Sequence, residues 1–210
     1  SGGREAKMEF DFYRLERQHA RKGQRVAGAD EAGRGPLAGP VVAAACILPA
    51  DCFLEGVNDS KKLTAKKRDM LYEQIMQRAI SYGIGIVEVQ EIERMNILNA
   101  ARHAFQQAIG QLCQPFVLYT DYITGLSLPF EYTAIKKGDA KVYSIAAASI
   151  IAKVTRDRLM QQYDAIYPEY GFAAHKGYGT KAHIQAIREF GPCPIHRKSF
   201  LGRILGEQQR

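Results

Sequence analysis

Eight consecutive apolar residues, Val41–Leu48, lie between Pro40 and Pro49. No longer clean apolar run occurs in the chain, and a bilayer-spanning helix takes about 18 or more such residues. Framed by prolines, the run predicts a strand that is apolar on both faces and therefore covered on both. Neighbouring segments fit that frame. Val26–Asp30 predicts a short strand entering the turn Gly33-Arg34-Gly35-Pro36, and Tyr82–Val89 alternates as a third strand. Thr64 is placed to cap a helix through Leu71, Ile75 and Ala79. Gln90–Leu112 has the pattern of one long helix and Ser144–Tyr163 that of an Ala-rich one. Phe116–Asp121 and Glu131–Lys137 predict two further strands. Three strands followed by alternating helices and strands predict an α/β layered domain on a mixed sheet.

The ends of the chain are simpler. Ser1-Gly2-Gly3 reads as an expression scar, residues 1–3. Residues 4–22 are highly charged and predict an N-terminal helix, with Phe10, Tyr13 and His19 toward one face. The main domain is expected over residues 23–166. Residues 167–210 predict loops and short helices broken by Pro192 and Pro194. No charged segment leading into an apolar one opens the chain, so no secretory signal is expected. The four cysteines form no C-x-x-C or zinc pattern. Dispersed thiols suit a reducing compartment, and a cytoplasmic location is expected.

With 29 Lys and Arg against 22 Asp and Glu, the net charge is +7. A polyanion such as nucleic acid is a fitting partner, although a basic enzyme without one has the same balance. Three predicted strands finish at acids: Asp30-Glu31, Asp121 and Asp139. Ligand sites in α/β folds gather where strands end. Asp30 and Glu31 alternate faces within a regular strand, so a shared site requires the strand to end there. Converging carboxylates repel unless a divalent cation neutralises them, and oxygen donors suit magnesium or manganese. Taken singly, Asp139 also fits a helix cap and Asp121 a surface turn.

Four blocks add to this reading. They are Ala29-Asp30-Glu31-Ala32-Gly33-Arg34-Gly35-Pro36-Leu37-Ala38-Gly39-Pro40, then Asp59-Ser60-Lys61-Lys62-Leu63, then Lys137-Gly138-Asp139-Ala140 leading into Ser144–Val154, and last His175-Lys176-Gly177-Tyr178-Gly179-Thr180. In this order they resemble the bacterial ribonuclease HII family, from Val26 to Phe200. The resemblance implies an RNase H-like fold: a five-stranded mixed sheet flanked by helices, with a C-terminal helical region. It implies a metal-dependent endonuclease, using Mg²⁺ or Mn²⁺, that cuts the RNA strand of RNA–DNA hybrids. It also implies incision 5′ of single ribonucleotides in duplex DNA, leaving 3′-hydroxyl and 5′-phosphate ends, as in ribonucleotide excision repair. Two metals about 4 Å apart would hold the attacking water and the leaving 3′-oxygen in line.

By motif match, the catalytic and metal-binding acids are Asp30, Glu31, Asp121 and Asp139. Gly33, Arg34, Gly35 and Tyr178 are matched to ribose recognition. Lys61, Lys62, Ser149, Lys153 and Lys176 are candidate phosphate contacts, with Arg156 on the helical face of Ser149 and Lys153. Asp157 follows Lys153 by four residues and predicts an ion pair. His183 and His196 are given no catalytic role. One departure is Tyr122, where the family usually has a Gly after its third acid. It is the only hint of an alternative, an RNase H-like nucleic-acid binder without turnover. Another nuclease of this fold, such as an integrase or resolvase, is disfavoured by the ribose-sensing residues. The expected partners are RNA–DNA hybrid and ribonucleotide-containing duplex DNA, with no membrane and a monomeric enzyme. The tail Leu201–Arg210 is open as a sliding-clamp peptide or a frayed end.

Overall fold

The computed structural model describes residues 11–51 and 53–206. The expectation for residues 4–10, with Phe10, and the last four residues of the tail lie outside them. The chain opens with helix α1, Arg14–Arg21, and then forms strands β1, Val26–Ala32, and β2, Val41–Ile47. Helix α2, Ala65–Arg78, leads to strand β3, Ser81–Val87. Helices α3, Val89–Met95, and α4, Ile97–Gly110, precede strands β4, Val117–Asp121, and β5, Tyr132–Ile135. The long helix α5, Tyr143–Ile166, is followed by α6, Phe172–His175, α7, Lys181–Phe190, and α8, Gly202–Gly206.

The strands form one sheet in the order β3-β2-β1-β4-β5. The β1–β2 and β2–β3 pairs are antiparallel, whereas β1–β4 and β4–β5 are parallel, so the sheet is mixed. Every residue of β2 is buried, as its two-faced apolar run requires. One face packs Ala43, Ala45 and Ile47 against Ala104, Phe105 and Ala108 of α4. The other packs Ala44 and Cys46 against Ala147, Ile150 and Ile151 of α5, joined by Leu71 and Ile75 of α2. Small residues let α5 lie close to the sheet. A Cβ at Gly28 would sit 2.1 Å from the Ser144 carbonyl carbon.

The expected single helix over Gln90–Leu112 is two helices. Asn96 has φ of 71°, a left-handed conformation that breaks the helix, and its side chain accepts from the Asn99 N–H to cap the second. Among the described residues helix α1 covers Arg14–Arg21, and it does structural work inside the molecule. Glu16 is buried and its Oε1 accepts from both N–H (2.9 Å) and Oγ–H (2.8 Å) of Ser144. It thus supplies the cap that Val142 at the start of α5 does not. Helices α6 and α7 pack on α5 through Tyr170, Phe172, Ala186 and Met160. Among the described residues, no helix is long and apolar enough to cross a membrane.

Candidate active site

The site opens where the sheet parts. The β1–β4 ladder stops at Ala29 opposite Thr120, while the β1–β2 ladder continues to Ala32 opposite Val42. Beyond Ala29, β1 and β4 therefore separate at the carboxyl end of a parallel pair, the usual place for a ligand cleft. Asp30, Glu31 and Asp121 stand there. The strand runs on past Asp30, correcting the expectation that it must end for the two acids to share a site. With no β4 residue opposite, the longer Glu31 side chain reaches the same side of the cleft. One oxygen from each of Asp30, Glu31 and Asp121 lies within 4.8 Å of the others.

Short hydrogen bonds fix these acids. Asp30 Oδ1 accepts from the Glu31 N–H at 2.7 Å, and Asp121 Oδ1 from the Gly138 N–H at 2.8 Å. Asp139, on the turn Gly138–Ala140, lines the same cleft but lies outside the three-carboxylate group. Its Oδ2 is 3.2 Å from Lys61 Nζ. Burial pushes the Asp30 carboxyl well above its ordinary range, and the neighbouring charges of Glu31 and Asp121 push it further. Burial also raises Glu31, against the pull of the Arg34 guanidinium 3.6 Å away. Acids crowded in poor solvent and supplied only with oxygen donors fit a hard divalent cation, magnesium or manganese rather than zinc.

The cleft holds about 480 Å³ and is also lined by Gly33, Arg34, Gly35, Lys61, Ser149, Lys153 and Tyr178. Gly33 has φ of +94°, and a Cβ there would strike Arg156 Nε at 2.2 Å. Gly35 differs: the nearest atom to a Cβ is Tyr178 Cε1 at 3.9 Å, so its bare backbone faces open cleft. Ser149 Oγ donates to the Ala146 carbonyl at 2.7 Å. Lys153 Nζ lies 3.4 Å from Asp157 Oδ1, the ion pair their spacing predicts. Two residues are not brought in. Lys62 lines a neighbouring groove with Leu63 and Met70, and the Lys176 ammonium donates to the Ala173 carbonyl.

Two buried arginines behind the turn were not legible as such. Arg197, fully buried, donates to the carbonyls of Gly33, Arg34, Pro36 and Gly39 at 2.6–3.0 Å. Arg156, also buried, donates to those of Ala38, Pro40 and Lys176. Burial lowers the pKa of both, Arg197 to about 9. Arg156 therefore does not share the exposed phosphate-facing role suggested by its helical spacing. The one available signal was the glycine at 33, whose missing side chain leaves room for Arg156.

A family model described as Ribonuclease HII matches residues 27–202 of the chain. A Ribonuclease HII of Acetivibrio thermocellus is 58% identical over 176 residues, covering 83% of this chain and 69% of that protein. The crystal structure of ribonuclease H2 from Pyrococcus horikoshii OT3 is similar with a TM-score of 0.73 and 29% identity, covering 89% of this chain and 100% of that one. The RNase HII of a PCNA:RNase HII complex from Archaeoglobus fulgidus gives a TM-score of 0.69 at 26% identity, covering 82% and 93%.

Proposed function

The chain belongs to the ribonuclease HII family, and from that premise we propose that Asp30, Glu31, Asp121 and Asp139 are its catalytic carboxylates and that Mg²⁺ or Mn²⁺ is their metal. The enzyme is a divalent-metal-dependent endoribonuclease that cleaves the RNA strand of RNA–DNA hybrids and incises 5′ of single ribonucleotides in duplex DNA. The observation that carries the site assignment is the meeting of three carboxylates within 4.8 Å where β1 and β4 part. When bound there, divalent cations lower the pKa of a water and neutralise charge developing on the leaving oxygen. Asp30, Glu31 and Asp121 would hold them, joined by Asp139 as Lys61 turns from it toward a phosphate.

Around this centre, Arg34, Lys61, Ser149 and Lys153 would face phosphates. Gly35 would let backbone approach the ribose, and the Tyr178 ring, 44% exposed, would lie against the sugar. The 2′-hydroxyl is the feature that distinguishes one ribonucleotide within DNA. Lys62 and Lys176, outside the cleft, would serve only flanking duplex. Tyr122 gives little support to a binder without turnover. Among the described residues only Asn96, Lys137 and Lys176 are non-glycine residues with positive φ, so Tyr122 adopts no conformation that needs glycine. We read the enzyme as a cytoplasmic monomer. By analogy with the PCNA-bound archaeal relative, the tail Leu201–Arg210 would dock on a sliding clamp, with Leu201 and Ile204 kept in the body against Ile187.

Duplex DNA carrying one ribonucleotide, incubated with Mg²⁺, Mn²⁺ or EDTA, tests this. Incision beside the ribonucleotide with either metal and none in EDTA is expected. Binding without incision, or cutting of all-DNA duplex, would overturn it.

A further inference from the structure

Tyr178 sits on a loop held from behind by two side chains. Arg156 reaches both walls of the cleft. Its Nε and Nη2 donate to Pro40 and Ala38 beside the glycine turn, at 2.9 Å each, while Nη1 donates to Lys176 at 2.7 Å in the Tyr178 loop. Its guanidinium carbon is 5.8 Å from the Tyr178 ring centroid. Its Nε occupies the space that Gly33 leaves free. Among the described residues, one backbone bond also joins the two walls, from Leu37 N–H to the Gly177 carbonyl at 2.8 Å.

His183 is the second side chain that holds the loop. Its Nδ1 is 2.8 Å from the Tyr178 carbonyl, and its Nε2 is 2.9 Å from His196 Nε2. The Cys193 N–H donates to His196 Nδ1 at 2.9 Å. His196 therefore carries its proton on Nε2 and donates it to His183 Nε2, leaving the His183 proton on Nδ1 to donate to Tyr178. The His175 ring stacks on His183 at 4.1 Å and has a matching tautomer: Nδ1 accepts from the Gly177 N–H, and Nε2 donates to the Tyr170 carbonyl. Each histidine thus has one ring nitrogen committed to donate and one to accept, and Nδ1 of His183 is committed to the residue that bears the exposed ring.

We infer that Arg156 and His183 are positioning residues for ribose recognition: together they fix the Tyr178 ring against the Gly33–Gly35 turn at the separation a sugar requires. The inference rests on the reading of Tyr178 given above. Neither residue lies among the carboxylates, so metal binding is independent of both. A lone ribonucleotide offers one productive register and a continuous hybrid many. Loss of positioning therefore affects the lone ribonucleotide more, because a displacement of about 1 Å can cost 10²-fold.

The test compares kcat/KM on a single-ribonucleotide duplex and on a continuous hybrid for Arg156→Lys, His183→Gln, His183→Asn and Tyr178→Ala, with Mn²⁺ affinity measured by calorimetry. Arg156→Lys and His183→Gln should each lower the ratio of the two constants by about 10-fold or more, within the range that misplacement allows, at unchanged Mn²⁺ affinity. His183→Asn should restore the ratio, because its amide nitrogen can take the place of Nδ1. Should Arg156→Lys not fold, His183→Gln and its rescue decide the matter. An unchanged ratio in the variants that fold, with a shifted one in Tyr178→Ala, overturns this inference and leaves the ribose role of Tyr178 standing. An unchanged ratio in Tyr178→Ala removes that role and the inference with it.

Discussion

Lys61 shows how single charges divide their time between protein and substrate. Its side chain is 70% exposed, and its ammonium lies 3.2 Å from Asp139. Although Asp139 is largely buried, the Lys61 end is solvated and screened, so turning Lys61 from Asp139 to a phosphate exchanges one anion for another and frees Asp139. Lys61→Ala should weaken binding to every duplex alike and flatten the log–log dependence of affinity on salt by about one unit. Affinities measured over a range of salt check this, and an unchanged slope would leave Lys61 as a partner of Asp139 alone. At this scale the acids were legible because carboxylates at strand ends are chemically conspicuous. Arg156 and Arg197 were not, since arginine in a sequence predicts a solvated surface. Their partners are backbone carbonyls, which leave no mark on residue identity.

Between elements, the histidine chain joins α6, α7 and the segment before Arg197. Burial, with the neighbouring histidines adding to it, pushes His183 and His196 down to about 4. Phe172 and Tyr170 close over the rings. The charge of Asp164 acts on His175 and that of Glu169 on Cys193. An unfolded histidine takes up its proton near pH 6.5, whereas the folded pair stays neutral to about pH 4. The unfolded state therefore binds more protons in that window, and stability is present above pH 6.5 and lost as pH falls through it. Buried Asp30, Glu31 and Glu16 have raised values and act in the opposite sense. Denaturation midpoints should accordingly be compared between the wild type and a His183→Asn/His196→Asn variant. The wild type should lose more stability from pH 7 to pH 5; parallel losses would show that the pair is not buried neutral. Element positions were readable where pattern reflects burial, as in β2. The break at Asn96 was not, because apolar periodicity continues across it while one left-handed residue interrupts the backbone.

Across the whole molecule, one parting in the sheet brings the three carboxylates together. Because β1 leaves β4 after Ala29, Asp30 and Glu31 meet Asp121. The α5 helix, capped by Glu16 at Ser144, carries Ser149 and Lys153 along one side and Arg156 beneath the turn. Layer order and mixed pairing followed from the order of strands and helices in the chain. The packing of the C-terminal helices behind the glycine turn did not, since it depends on contacts between Arg197 and residues about 160 positions earlier. The central claim is that the carboxylates where β1 and β4 part perform the cleavage, and Asp121→Asn tests it most directly. The amide keeps the shape and can still accept from Gly138, but removes the charge. On a single-ribonucleotide duplex, kcat should fall by more than about 100-fold, since residues that only support metal ligands already cost 10–100-fold. Kd for the same duplex should stay unchanged or tighten as a negative charge near phosphate is lost. A near-normal kcat for Asp121→Asn would contradict the account.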